Sequence, residues 1–133
     1  MLEFDFSFVK GVGWYPGHML KASRDIKKKL KLVDLVLILT DARTPESALN
    51  PKLFKITQSK PTLLVLNKAD LAEADKIKAW GKTLKTENGD FVVTETLNRR
   101  GLKRITDTAR RLIAEERTRR GATRPLLRPV RLM

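Results

Sequence analysis

Two uninterrupted apolar runs, Leu35-Val36-Leu37-Ile38-Leu39 and Leu63-Leu64-Val65-Leu66, each end in a polar cluster. A strand with one wet face alternates apolar and polar residues, so a short run that is apolar at every position calls for cover on both faces. Phe91-Val92-Val93 is a third, shorter candidate strand. Between these runs the periodicity changes to that of helices. Met19, Ala22, Ile26, Leu30 and Val33 recur at helical spacing after the Pro16-Gly17 turn, opposite Lys21, Arg24, Lys27, Lys28 and Lys31. Asn50-Pro51 places a capping residue before a proline suited to the first helical position, and Leu53, Phe54 and Ile56 give that helix an apolar side. Ile77, Trp80 and Leu84 mark a third helix that stops near Asn88-Gly89. Leu102, Ile105, Ala109, Leu112 and Ile113 mark a fourth. Doubly covered strands alternating with helices imply βαβ crossovers, hence an α/β fold with a parallel sheet and helices on both faces. In such sheets ligands sit beyond the carboxyl ends of the strands. Those ends here read Asp41-Ala42-Arg43-Thr44-Pro45 and Asn67-Lys68-Ala69-Asp70.

The chain's 133 residues suit one domain with a core of its own, and 41% hydrophobic content argues against wholesale disorder. The longest apolar run is far short of the roughly 18 to 20 residues that cross a bilayer, so no membrane partner is expected. Glu3 and Asp5 do not fit the basic-then-apolar layout of an export signal. With no cysteine, disulfides and thiolate metal sites are excluded, which fits a cytoplasmic protein.

Asn67-Lys68-Ala69-Asp70 carries the most specific chemistry. Guanine presents N1–H and an N2 amino group side by side, and one carboxylate held edge-on accepts both hydrogens. Adenine offers no such pair, so Asp70 would discriminate between the purines. Asn67 can shape the loop and reach N7 or O6, while the stem of Lys68 can lie over the base with its ammonium in water. The plainer alternative is a strand-to-helix turn whose Asp caps a helix.

From here a family likeness is specific. Trp14-Tyr15-Pro16-Gly17-His18-Met19, Asp41-Ala42-Arg43-Thr44-Pro45 with Asn50-Pro51, and Asn67-Lys68-Ala69-Asp70 resemble, in order and spacing over residues 14–130, the circularly permuted GTPases of the ribosome biogenesis GTPase A (YlqF) kind. The resemblance implies a Rossmann-like, P-loop-GTPase-type sheet in permuted order, guanine-reading elements first and the phosphate loop after them. It implies GTP and GDP as ligands and a ribosomal subunit or rRNA as partner. It places the second guanine-contacting loop at Thr96 and Leu97, where a backbone N–H serves O6. It also gives His18 the task of orienting the attacking water. Read from the residues alone, His18 equally suits a packing or capping role at the first helix, and Trp14 and Tyr15 suit an anchor for its entry.

The sequence departs from the family in having no Gly-x-x-x-x-Gly-Lys-Ser/Thr among its 133 residues. Only part of the sheet is therefore expected, with residues 1–133 as the guanine-recognition half of a permuted G domain and residues 117–129 as a basic linker toward the phosphate-loop strand. Mg²⁺ would belong to the complete protein, and the fragment by itself is not expected to hydrolyse GTP. The first strand would be an unpaired apolar edge prone to self-association.

Charge supplies the last constraint. The net charge is +13, and residues 99–133 hold twelve Lys and Arg against Asp107, Glu115 and Glu116. That concentration suits a polyphosphate surface, with a merely solubilising face as the alternative. Lys27, Lys28 and Lys31 on the first helix and Arg100, Lys103, Arg104, Arg110 and Arg111 around the last are the RNA-contact candidates. A non-enzymatic RNA-binding module with a vestigial GTPase-like fold is the rival function.

Overall fold

The computed structural model describes residues 17–48, 51–84 and 89–133. Its elements run α1 (Gly17–Leu30), β1 (Val36–Asp41), α2 (Pro45–Ala48), α3 (Pro51–Thr57), β2 (Thr62–Asn67), α4 (Ala74–Leu84), β3 (Gly89–Val93) and α5 (Leu102–Arg119), with a 3-10 turn at Ala69–Leu71. The strands form one parallel sheet in the order β1-β2-β3. The expected α/β class and the parallel sheet are both present.

Register explains which residues make the core. Leu37 lies opposite Leu63, and Val65 opposite both Leu39 and Val92, so alternation puts these side chains on one face. There Leu35, Leu63, Val65 and Val92 pack with Ala109, Leu112 and Ile113 of α5 as one buried cluster, with Leu37 and Ile105 at its border. Phe91 points to the other face, where its ring meets α4 at Gly81. A glycine inside a helix costs about 1 kcal/mol against alanine. Here it lets α4 approach the sheet, because a Cβ at this position would overlap the Phe91 ring. On that same face α1 and α3 border an apolar groove of about 240 Å³ lined by Ile26, Val36, Ile38, Leu53 and Thr57.

Several sequence expectations shift. The first helix ends at Leu30, in a turn where the Leu32 N–H donates to Lys29 O at 2.8 Å, so Val33 lies beyond it. Gly89, expected as a helix stop, is the first residue of β3, while Asn88 lies outside the described residues. The larger correction concerns β1, read as buried on both faces. Leu35 and Val36 are buried, but Leu39 is 70% exposed. The cluster under α5 takes in Leu35 and borders Leu37 without reaching Leu39, so the same apolar run is core at one end and surface at the other.

Nor is the β1 edge wholly unpaired. Residues 131–133 run parallel to it: Asp34 N–H donates to Arg131 O at 2.8 Å and Leu37 N–H to Met133 O at 2.7 Å, and a bridge joins Leu35 to Leu132. Asp34 anchors this segment. Arg128 forks onto its carboxylate at 2.8 and 2.6 Å, and the Arg131 N–H adds a third bond at 2.9 Å. These donors, the Arg128 guanidinium first, hold the Asp34 carboxyl below its ordinary value of 3.8 against the opposing effect of burial.

Candidate functional site

The register that builds the sheet also assembles the site. Asp41 and Asn67 are direct partners at the ends of β1 and β2, and the Ala42 N–H donates to Asn67 O at 2.8 Å. Both polar clusters singled out in the sequence thus meet at the carboxyl end of the sheet.

Past Asn67 the chain turns sharply. Lys68 adopts the left-handed conformation (φ 61°, ψ 39°), and residues Ala69–Leu71 close a 3-10 turn through Leu71 N–H to Lys68 O at 3.0 Å. A lysine gains nothing locally from positive φ, so the surroundings must impose it. They do so from both sides: Asn67 O is held by Ala42 N–H, and Ala69 N–H donates to Thr94 O at 3.2 Å.

The Asn67 side chain ties this turn to the loop after β3. Its Oδ1 accepts from Thr94 Oγ1 at 3.1 Å, from the Thr96 N–H at 3.2 Å and from Thr96 Oγ1 at 2.5 Å. A backbone N–H can only donate, so the amide orientation is fixed, with oxygen toward the threonines and NH₂ left as a donor. The loop itself is braced. Glu95 and Arg100 exchange both backbone bonds at 3.1 Å, and the Asn98 and Arg99 N–H groups donate back to Glu95 O and Thr96 O, each at 3.1 Å. Thr96 N–H is therefore committed to Asn67, whereas no acceptor within the described residues engages the Leu97 N–H at the tip. The Leu97 side chain is 97% exposed.

On the β1 side the links are ionic. Arg43 grips Asp41 through Nε at 3.0 Å, Nη2 at 2.7 Å and its backbone N–H at 2.9 Å. Lys68 Nζ lies 3.4 Å from Asp41 Oδ2. The Arg43 side-chain bonds first, then its N–H, hold the Asp41 carboxyl well below the usual carboxylate range. Asp41 in turn raises Arg43, with a smaller contribution from Asp70. Asp70 is exposed and makes no ion pair within the described residues, so its carboxylate is open to a ligand.

His18 stands in the first turn of α1, and its side chain lies outside the described residues, as do Trp14 and Tyr15. Of the basic candidates, Lys27 and Lys28 are exposed in the last turn of α1, and Lys31 is exposed just beyond it. Lys103, Arg104 and Arg110 are exposed on α5. Arg100 pairs with Glu95 at 3.4 Å, and Arg111 is engaged by both Asp90 and Glu115. Sequence reading missed the two threonine hydroxyls on Asn67 and the Lys68–Asp41 contact. The threonines lie 27 and 29 residues from Asn67, beyond any local pattern. Among the described residues no group of three or more His, Asp or Glu side chains gathers as metal ligands. No helix of the described residues is long and apolar enough to cross a membrane.

A parallel α/β sheet with an Asn-Lys-x-Asp turn leaving its middle strand is the architecture of a partial P-loop-GTPase-type domain. No family model matches the chain. Curated proteins do. It is 38% identical over 105 residues to ribosome biogenesis GTPase A of Bacillus licheniformis, covering 79% of this chain and 37% of that protein. It is 39% identical over 105 residues to the Bacillus cereus protein of the same name, covering 79% and 36%. To mitochondrial ribosome-associated GTPase 1 of Xenopus tropicalis it is 34% identical over 112 residues, covering 84% and 36%. The chain is thus homologous over about four fifths of its length to proteins named ribosome biogenesis GTPase A, and it spans little more than a third of the length of these relatives.

Proposed function

We propose that this chain is the guanine-recognising segment of a GTPase acting in ribosome assembly. The observation that carries the reading is the arrangement around Asn67. One side chain locks the turn after β2 to the loop after β3 and leaves three groups unengaged at one strand end: the Asn67 NH₂, the Leu97 N–H and the Asp70 carboxylate. These match the edge of guanine. Asp70 accepts from N1–H and N2–H, the Leu97 N–H donates to O6, and the Asn67 amide donates to N7, while the Lys68 stem covers the ring. Thr96 acts one step back by holding Asn67.

GTP hydrolysis belongs to the complete protein, with His18 orienting the attacking water as the family likeness implies. The relatives' names carry the ribosome assignment. The exposed cations Lys27, Lys28 and Lys31 of α1 and Lys103, Arg104 and Arg110 of α5 supply a surface for rRNA phosphates, with Arg100 and Arg111 already shared with acidic neighbours. The site of action is the compartment where the ribosome is assembled, the cytoplasm in a bacterium.

The test is nucleotide selectivity of the full-length protein by titration calorimetry. GDP is expected to bind at least about 100-fold tighter than ADP, and Asp70→Asn is expected to move the preference from guanosine to xanthosine diphosphate. Equal affinity for GDP and ADP overturns the assignment and leaves the RNA-binding module.

A further inference from the structure

The ionic cluster beside the guanine-reading turn has a task that neither the fold nor the base edge requires. Lys68 leaves the left-handed turn toward β1, and its ammonium comes to 3.4 Å from Asp41 Oδ2. That carboxylate is already oriented by three bonds from Arg43. Its position is set as well, because Asp41 is in register with Asn67 across the β1–β2 ladder. A free lysine samples many rotamers, and laying its stem over a flat ring costs that freedom. A fixed carboxylate at the far end of the stem removes part of the cost before the ligand arrives.

We propose that Asp41 is a positioning residue of the guanine site: it holds Lys68 by its ammonium so that the lysine stem is pre-set against the face of the purine. The inference rests on the guanine reading above. Arg43 is the outer support, fixing the rotamer of Asp41 without contacting the base. The effect on affinity is modest, because Lys68 and Arg43 are each about half exposed and water screens their charges. It is specific to the pair, and that specificity makes it measurable.

The experiment is a double-mutant cycle in the full-length protein, with the dissociation constant of a fluorescent GDP as readout. Asp41→Asn keeps an acceptor oxygen for the Arg43 N–H, and Lys68→Met keeps a linear apolar stem without the ammonium. Asp41→Asn is expected to weaken GDP about three- to fivefold when Lys68 is present and to change nothing further in the Lys68→Met background. An equal loss in both backgrounds means that Asp41 acts only on loop structure and overturns the proposal. Should Asp41→Asn fail to melt cooperatively, the ¹⁵N resonance of the Lys68 ammonium in the wild-type GDP complex, assigned by its loss in Lys68→Met, decides instead. Slow exchange with water is expected for a carboxylate-held ammonium, and exchange as fast as in other surface lysines overturns the inference. Wild-type GDP and ADP titrations run alongside: no preference for GDP removes the guanine reading itself, whereas an intact preference with an additive cycle removes only the role of Asp41.

Discussion

The two flanks of Lys68 are built from different forces. Toward β3, Asn67 is bound by neutral hydrogen bonds to Thr94, a buried residue, and to Thr96, in a loop closed by its own backbone pairing. Toward β1, beyond the backbone bond from Ala42 to Asn67, the side-chain links are ion pairs among Asp41, Arg43 and Lys68, all reached by water. Neutral hydrogen bonds hold geometry with little dependence on salt, while exposed charges hold it weakly and are screened. On the proposed reading, the Asn67 amide and the Leu97 N–H, which would meet the base edge, stand on the neutral flank. Lys68, which would only cover the base face, a contact tolerant of small shifts, is held from the ionic flank.

The strongest way to break this contrast is Asn67→Ala. Three donors lose one acceptor and the buried Thr94 hydroxyl is orphaned, so urea unfolding should show a loss of about 2 kcal/mol, with guanine binding gone. A loss under about 0.5 kcal/mol would mean that the threonine bonds do not hold the loop.

Gly81→Ala tests the neutral flank from behind, through the packing that seats β3. The added methyl meets the Phe91 ring. Overpacking should outweigh the gain in helix propensity by about 1 kcal/mol, read as a lower melting temperature. Stabilisation would show that the ring moves aside without cost.

The smallest expected effect comes from acid on a separate ionic contact, Asp34 with Arg128 and Arg131 at the other end of β1. Because the folded pKa of Asp34 is depressed, its contribution is complete above the ordinary value of 3.8 and is lost as pH falls through the lower, folded value. Limited proteolysis with pepsin below pH 4 should therefore release the segment held by Arg128 and Arg131 faster as pH drops. Asp34→Asn should release it already at neutral pH, as seen with trypsin. A release rate independent of both pH and the substitution would detach the segment's docking from Asp34.

Legibility in the sequence followed the range of the interactions. The three strands were readable because a short apolar run needs cover wherever it sits, and the motif Asn67-Lys68-Ala69-Asp70 was readable because its residues are contiguous. The exposure of Leu39 was not, since the run looks alike at both ends and only the reach of α5 separates them. The fork of Arg128 on Asp34, 94 residues apart, was not readable either. The resemblance joins Thr96 and Leu97 as the second guanine loop, yet only the tertiary structure separates them, one N–H committed to Asn67 and the other unengaged among the described residues.

The amino-acid sequence by itself determined the alternation of strand and helix, the strand ends where the polar motifs gather and the excess of positive charge, all consequences of neighbours within a few residues. The tertiary structure alone decided the left-handed turn at Lys68, the orientation of the Asn67 amide and the partner of the Lys68 ammonium. Each of these is imposed by groups on another strand or loop, and the chain brings them within hydrogen-bonding reach only when the parallel sheet closes.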